Sequence, residues 1–153
     1  MRKILFRGKR SDNGEWVEGF YVRLFEKNNG FYQANHYIFD GNIDRGEERY
    51  VGHGNYYQDV IICKRKIAEK TLGQFTGMTD KNGKNIFEGD IIRNNIGEHL
   101  IVEFRDGCFM LACDNDGKIY YDIFLPISEN KQTIYKYGEV IGNIHDNSNK
   151  LHL

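Results

Sequence analysis

The stretch Val102-Glu103-Phe104-Arg105-Asp106-Gly107-Cys108-Phe109-Met110-Leu111 decides how the rest of the chain is read. Asp-Gly readily takes the positive φ values of a two-residue hairpin turn, which places Phe104 opposite Phe109 and Val102 opposite Leu111. Opposed residues share a sheet face, so one face of this hairpin is apolar. Continuing the period of two puts Cys113 on that face and Cys108 on the other.

The same grammar extends outward. The 153 residues include 17 glycines, 10 tyrosines, 10 phenylalanines and one proline, Pro126, a composition of short strands joined by glycine turns. Ile4 to Arg7 and Trp16 to Arg23 flank Asp12-Asn13-Gly14, where a two-residue Asn13-Gly14 turn places Lys9 opposite Glu18 and Gly8 opposite Gly19. Phe31 to Phe39 is a further strand, closed by Asp40-Gly41. Asn55 to Cys63 is another, and its Val60-Ile61-Ile62 run reads as burial on both faces. Asn42 to Gly54 reads as a polar loop, Lys64-Arg65-Lys66 as a break, and Ile67 to Leu72 as at most a short helical turn. Asp116-Gly117 begins a reversal, Ile119 to Leu125 and Glu139 to Ile144 are the last strands, and Asp146 to Leu153 is a tail. The expected fold class is therefore mainly β, with an N-terminal β lobe over 1–66, a second lobe over 67–146 and a tail over 147–153.

Charge and motif content narrow the functional classes. Twenty-one Lys and Arg against 22 Asp and Glu give a formal net charge of −1, so no global field draws the protein to nucleic acid or to an anionic membrane. No stretch approaches the roughly 18 apolar residues of a membrane span, and no apolar signal core follows the first residues, which makes the cytoplasm the expected location. Cys63, Cys108 and Cys113 are odd in number and sit among apolar neighbours, as reduced thiols do. Asp40-Gly41-Asn42-Ile43-Asp44-Arg45-Gly46 offers oxygen ligands but lacks the calcium loop's Gly at its sixth place, Arg45, and acid at its twelfth, Val51. Asp114-Asn115-Asp116-Gly117 brings its glycine too early for the same loop. The cysteines, with His36, His53, His99 and His145, show no Cys-x-x-Cys or His-x-x-x-His spacing for zinc. Ser11, Ser128 and Ser148 lie outside any Gly-x-Ser-x-Gly elbow, and no Gly-rich phosphate loop occurs. No catalytic residue, metal ligand or cofactor is assigned on these grounds, while a Cys–His pair formed only in the fold stays open. For nucleic acid, the local basic set is Arg7, Lys9, Arg10, Lys64, Arg65 and Lys66, interleaved with tyrosines able to stack on bases.

The central segment is the most distinctive. It runs Lys70-Thr71-Leu72-Gly73-Gln74-Phe75-Thr76-Gly77-Met78-Thr79-Asp80-Lys81-Asn82-Gly83-Lys84-Asn85-Ile86-Phe87-Glu88-Gly89-Asp90-Ile91-Ile92. Asn82-Gly83 makes one hairpin turn, and Phe87-Glu88-Gly89-Asp90 makes a second that launches a buried strand, the Asp90 carboxylate being free to accept backbone N–H groups. Gly73, Gly77, Asp80, Gly83, Glu88, Gly89 and Asp90, with Gly142 further on, are read as residues that shape bends. With Ile4-Leu5-Phe6-Arg7 and Glu139-Val140-Ile141-Gly142-Asn143-Ile144-His145, this segment resembles the YopX family from residue 2 to residue 147. One departure is that Ile67-Ala68-Glu69 lacks the proline expected ahead of the signature. The resemblance implies a phage or prophage protein, chiefly β, with a compact SH3-like barrel as its C-terminal lobe and no established catalytic site. The functional expectation is a non-catalytic accessory protein that forms a homo-oligomer or binds phage or host proteins through aromatic-rich strand edges. A nucleic-acid-binding accessory factor is the alternative, and an enzyme of unknown class the second.

Overall fold

A computed structural model describes residues 4–52, 55–115, 118–123 and 138–146. These residues form two antiparallel sheets, of six and of five strands, with no α-helix and no closed barrel among the described residues. Two compact units divide the chain, one of Leu5–Leu72 and one of Gly73–Leu153 with Met1–Ile4.

The N-terminal unit holds β1 (Phe6–Lys9), β2 (Trp16–Asn28), β3 (Phe31–Gly52) and β4 (Asn55–Lys66), in the order β4-β3-β2-β1, followed by a 3-10 turn at Glu69–Thr71. The first hairpin differs in register from the sequence expectation: Lys9 pairs with Trp16 and Arg7 with Glu18. Only Gly14 takes a positive φ there, +75°, and its N–H donates to Arg10 O at 3.0 Å. A two-residue turn of that kind needs positive φ at both central residues, so the chain closes instead over Ser11 to Gly14. The Arg10 and Asn13 side chains hold that longer loop, bonding Asp12 and Glu15 respectively.

Asn29-Gly30 makes a two-residue turn, with φ values of 49° and 88°, and it joins β2 to β3 with Asn28 opposite Phe31. Phe31 to Phe39 is only the start of β3, because residues 42–52, expected as a polar loop, continue the strand and pair with β4. Register shifts between Phe39 and Ile43, Arg45 and Glu48, and Tyr50 and Gly52 absorb the irregular stretches, and main-chain pairing is indifferent to side-chain polarity. Residues 53 and 54 of that expected loop lie outside the described residues. Lys64-Arg65-Lys66 likewise stays in strand, opposite Phe39, Ile38 and Tyr37.

Residues 67–72 group with this unit. Ile67 is buried and bridges to Arg10, its N–H donates to His36 O at 2.9 Å, and the Lys9 N–H donates to Thr71 Oγ1 at 2.8 Å. Gly8 packs closely beside it: a Cβ there would meet Ile67 Cδ1 at 2.7 Å, and the Ile67 side chain would have to turn aside to admit it.

The C-terminal unit contains β5 (Gly73–Thr79), β6 (Asn85–Phe87), β7 (Asp90–Arg93), β8 (His99–Arg105), β9 (Cys108–Asn115), β10 (Lys118–Ile123) and β11 (Glu139–Asn143). Five of them make a sheet in the order β10-β9-β8-β7-β11. The deciding hairpin has the register read from sequence, Val102 opposite Leu111 and Phe104 opposite Phe109, with φ of 51° at Asp106 and 84° at Gly107. β9 pairs with β10 without interruption as far as Asn115 and Lys118, which keeps Cys108 and Cys113 on opposite faces. Met78, Ile86, Ile92, Val102, Phe109, Leu111 and Val140 form its buried cluster. The SH3-like barrel expected for 67–146 is not what the described residues form. Closure requires the outer strands of a sheet to meet, whereas β10 pairs with β9 and β11 with β7, leaving an open sheet.

Candidate functional site

Two buried carboxylates organise the C-terminal unit. Asp80 Oδ1 accepts the N–H groups of Asn82 at 2.8 Å and Lys84 at 2.9 Å, while Oδ2 accepts Val140 N–H at 3.1 Å. Asp90, fully buried, accepts Phe87 N–H at 2.9 Å and the Asn143 side-chain amide at 3.2 Å. Main-chain bonds from Lys81 N to Gly138 O and from Ile144 N to Gly89 O run alongside. Glu139 adds ion pairs to Lys81 at 2.8 Å and Arg93 at 3.1 Å, and these two cations hold its carboxyl below the usual range. The distinctive central segment and the Glu139–His145 segment are therefore one unit of structure, joined at both acidic turns.

Gly83 and Gly89 take φ of +81° at those turns, and Gly73 has no room for a Cβ, which would fall 2.4 Å from Glu88 O. Gly77 has φ +88° in open space, and Gly142 sits opposite Ile91, just after the bulge in β11. Glu88 donates its N–H to Gln74 O at 3.0 Å. These residues shape and pin turns.

The sequence-derived basic set does not assemble into one cationic surface. Alternation places Arg7, Lys9, Lys64 and Lys66 on one face of the N-terminal sheet and Arg10 and Arg65 on the other. Arg7 is buried, its guanidinium 4.5 Å from the Trp16 ring centroid, with Lys9 Nζ 5.5 Å from the same ring. Arg10 grips Asp12 through Nε at 3.0 Å and Nη2 at 2.6 Å, and this bond lowers the Asp12 carboxyl pKa. Arg65 donates to Asp40 at 3.1 Å, and Lys64 to Glu26 at 2.6 Å; Lys66 is exposed. Cations already neutralised by carboxylates release fewer counterions when they meet phosphates.

Two polar clusters in this unit were not visible as such in the sequence. Glu26 accepts from Lys64, from the Tyr37 hydroxyl and from Asn35 Nδ2, the last at 2.7 Å, while the Lys64 ammonium lies 4.3 Å from the Tyr37 ring centroid. Lys64 above all, then Tyr37, holds the Glu26 pKa down from 4.5 to about 2. A carboxyl depressed in the folded state stabilises above its unfolded pKa, and that contribution is lost as pH falls through the folded one. The cluster is thus expected to loosen between pH 4.5 and about 2. Carbon NMR of the carboxyl should follow it, and Lys64→Gln should raise the Glu26 titration midpoint.

Nearby, the buried His36 ring has Nδ1 2.8 Å from the Tyr21 hydroxyl and Nε2 3.4 Å from Glu69 Oε2. With the proton on Nε2 facing Glu69, Nδ1 accepts from Tyr21, and both ring nitrogens of a buried imidazole are satisfied. His36 entered the sequence reading only as a candidate zinc ligand. Its partners are one strand and one turn away, which no local spacing could announce.

Among the described residues no group of three His, Cys, Asp or Glu side chains is placed to hold a metal ion. None of the three cysteines is in a disulfide; Cys63 is buried and the others are half-buried. The candidate calcium loop at Asp40 lies within β3, where the Asp40 carboxylate is taken up by the Asn42 N–H at 3.0 Å and by Arg65 at 3.1 Å. Ser128, Ser148 and Pro126 lie outside the described residues. No described helix is long and apolar enough to cross a membrane.

Open antiparallel sheets with glycine turns pinned by buried carboxylates define a mainly β protein whose distinctive residues hold structure. The chain belongs to the YopX protein family, whose profile matches residues 5–152. It is similar in fold to protein EF1440 from Enterococcus faecalis, known from a crystal structure, with a TM-score of 0.51 and 21% identity over 99% of this chain and 100% of that one. No curated protein matches it.

Proposed function

We propose that this protein is a non-catalytic accessory module of phage or prophage origin, working in the bacterial cytoplasm by adding a sheet edge to a second copy of itself or to another protein. The observation that supports this reading is the position of β4. Among the described residues β4 has one strand neighbour, β3, and it ends the order β4-β3-β2-β1. The strand runs 12 residues without proline, and its sequence centres on Val60-Ile61-Ile62. An edge strand offers a row of N–H and C=O groups to another chain, and natural proteins usually blunt such edges with charge, proline or short length. Here Asp59 and the Lys64-Arg65-Lys66 run flank the apolar centre without interrupting it. Added strands gain affinity from main-chain bonds and specificity from alternate side chains.

Gel filtration with light scattering tests this directly. The protein is expected to self-associate, and Ile61→Lys, a charge set in the middle of the edge, is expected to yield a folded monomer. A strict monomer at every concentration, together with no partner recovered from infected cells, would remove the proposal.

A further inference from the structure

Outside the edge there is a second surface that the proposed function does not use. β1 pairs with β2 only as far as Gly19, and β4 pairs with β3 from Tyr37 onward, so from Leu24 and Asn35 to Asn28 and Phe31 the two strands form a ribbon. Its register puts Arg23 opposite His36, Phe25 opposite Ala34 and Lys27 opposite Tyr32, all on one face. Phe25 is 64% exposed and Tyr32 72% exposed, and they are diagonal neighbours. The Arg23 guanidinium lies 5.2 Å from the Phe25 ring centroid.

Over 24–28 and 31–35 this face carries no carboxylate, and Asp40, further along β3 on the same face, is held by Arg65. Toward its base Glu69 meets His36. No ion pair of Arg23 or Lys27 with a described carboxylate is found, in contrast to Arg10, Lys64 and Arg65. The opposite face holds Glu26, already neutralised by Lys64. Two cations interleaved with two solvent-facing rings are the elements of a single-strand platform: phosphates neutralised by the cations, unpaired bases stacked on the rings. A protein ligand would find the same rings, but the unopposed positive charge favours a polyanion.

We propose that the Arg23, Phe25, Lys27 and Tyr32 face of the β2–β3 ribbon binds single-stranded nucleic acid without sequence preference. Binding is weak, since two phosphate contacts on a single strand give a log–log salt slope of about −1.4, a loss of roughly sevenfold between about 50 and 200 mM salt.

The test is fluorescence anisotropy with labelled oligo(dT) and oligo(rU) across that salt range. Phe25→Ala with Tyr32→Ala is expected to weaken binding at least roughly tenfold, and Arg23→Gln with Lys27→Gln to flatten the salt slope. All four side chains are exposed, and unchanged circular dichroism melts would show that the variants fold. Arg10→Gln, at a cation already held by Asp12, is expected to leave binding unchanged. Absence of binding at low salt overturns the proposal, and so does binding indifferent to loss of the two rings. A dimer that the ring substitutions dissolve, with no affinity for either oligonucleotide, would assign the face to protein contact and also overturn it. The Ile61→Lys variant keeps its affinity for oligo(dT) if this inference holds, whatever becomes of edge pairing.

Discussion

Asp90→Ala is expected to destabilise the protein by about 3–5 kcal/mol, through two stranded buried donors and the cavity left by the carboxylate. The Phe87 N–H and the Asn143 side-chain amide both spend a hydrogen on Asp90, and no water reaches a side chain that is 0% exposed. Urea unfolding followed by far-ultraviolet circular dichroism, which reads the strands of both units, would show the change as a lower midpoint, and a loss under about 1 kcal/mol would contradict the assignment. Asp90→Asn is the sharper control: its oxygen still serves one donor, but its NH2 faces the other, so it should fall between wild type and alanine. Asp80→Ala should cost less, because only one of its three bonds, to Val140, is fully buried, while the Asn82 and Lys84 amides lie nearer water. Both substitutions act on β11, which the chain joins to β7 only after a long excursion and which these carboxylates hold by its ends.

Gly19→Ala is expected to cost at least about 3 kcal/mol, or to displace β2 from β3, since overpacking against main chain cannot be relieved by a rotamer change. A Cβ at Gly19 would sit 2.0 Å from the Phe39 carbonyl oxygen and 2.7 Å from its carbon. For a chain of this length such a loss corresponds to a drop in Tm of roughly 6–12 °C. Gly77→Ala provides the contrast: φ there is +88° but nothing lies within 4 Å. Its cost is limited to the left-handed backbone penalty of about 1–2 kcal/mol. If the two variants melt alike, the close approach at Gly19 is not the constraint it is taken to be.

How far the sequence could be read differs from element to element, for definable reasons. The Asp106-Gly107 hairpin was legible down to register because the turn dipeptide, the flanking alternation and the apolar face all specify one pairing. Asn13-Gly14 has an equally good dipeptide, but the Arg10–Asp12 and Asn13–Glu15 bonds favour a longer loop, and a two-residue slip keeps every side chain on its face. Asn42 to Gly52 reads as a loop because it is polar, yet main-chain pairing does not depend on side-chain polarity, and the stretch stays in strand against β4 through three register shifts.

For the candidate sites, the basic residues were visible and their neutralisation was not. Lys64 finds Glu26 across 38 residues of chain, and His36 finds Tyr21 and Glu69 from two other elements. The unopposed cations Arg23 and Lys27 carried no local signal, since what distinguishes them is the absence of an acid on one face of the ribbon.

The sequence by itself determined that this chain is mainly β, where most of its strands turn, and which glycines and aspartates mark the bends, because two-residue periodicity and positive-φ dipeptides are local properties. Only the tertiary structure decided that, among the described residues, the second sheet stays open, that Asp80 and Asp90 reach across to β11, and which cations pair with a carboxylate. Those outcomes depend on pairings between residues far apart in the chain, and such pairings are fixed by packing and burial rather than by any neighbour in sequence.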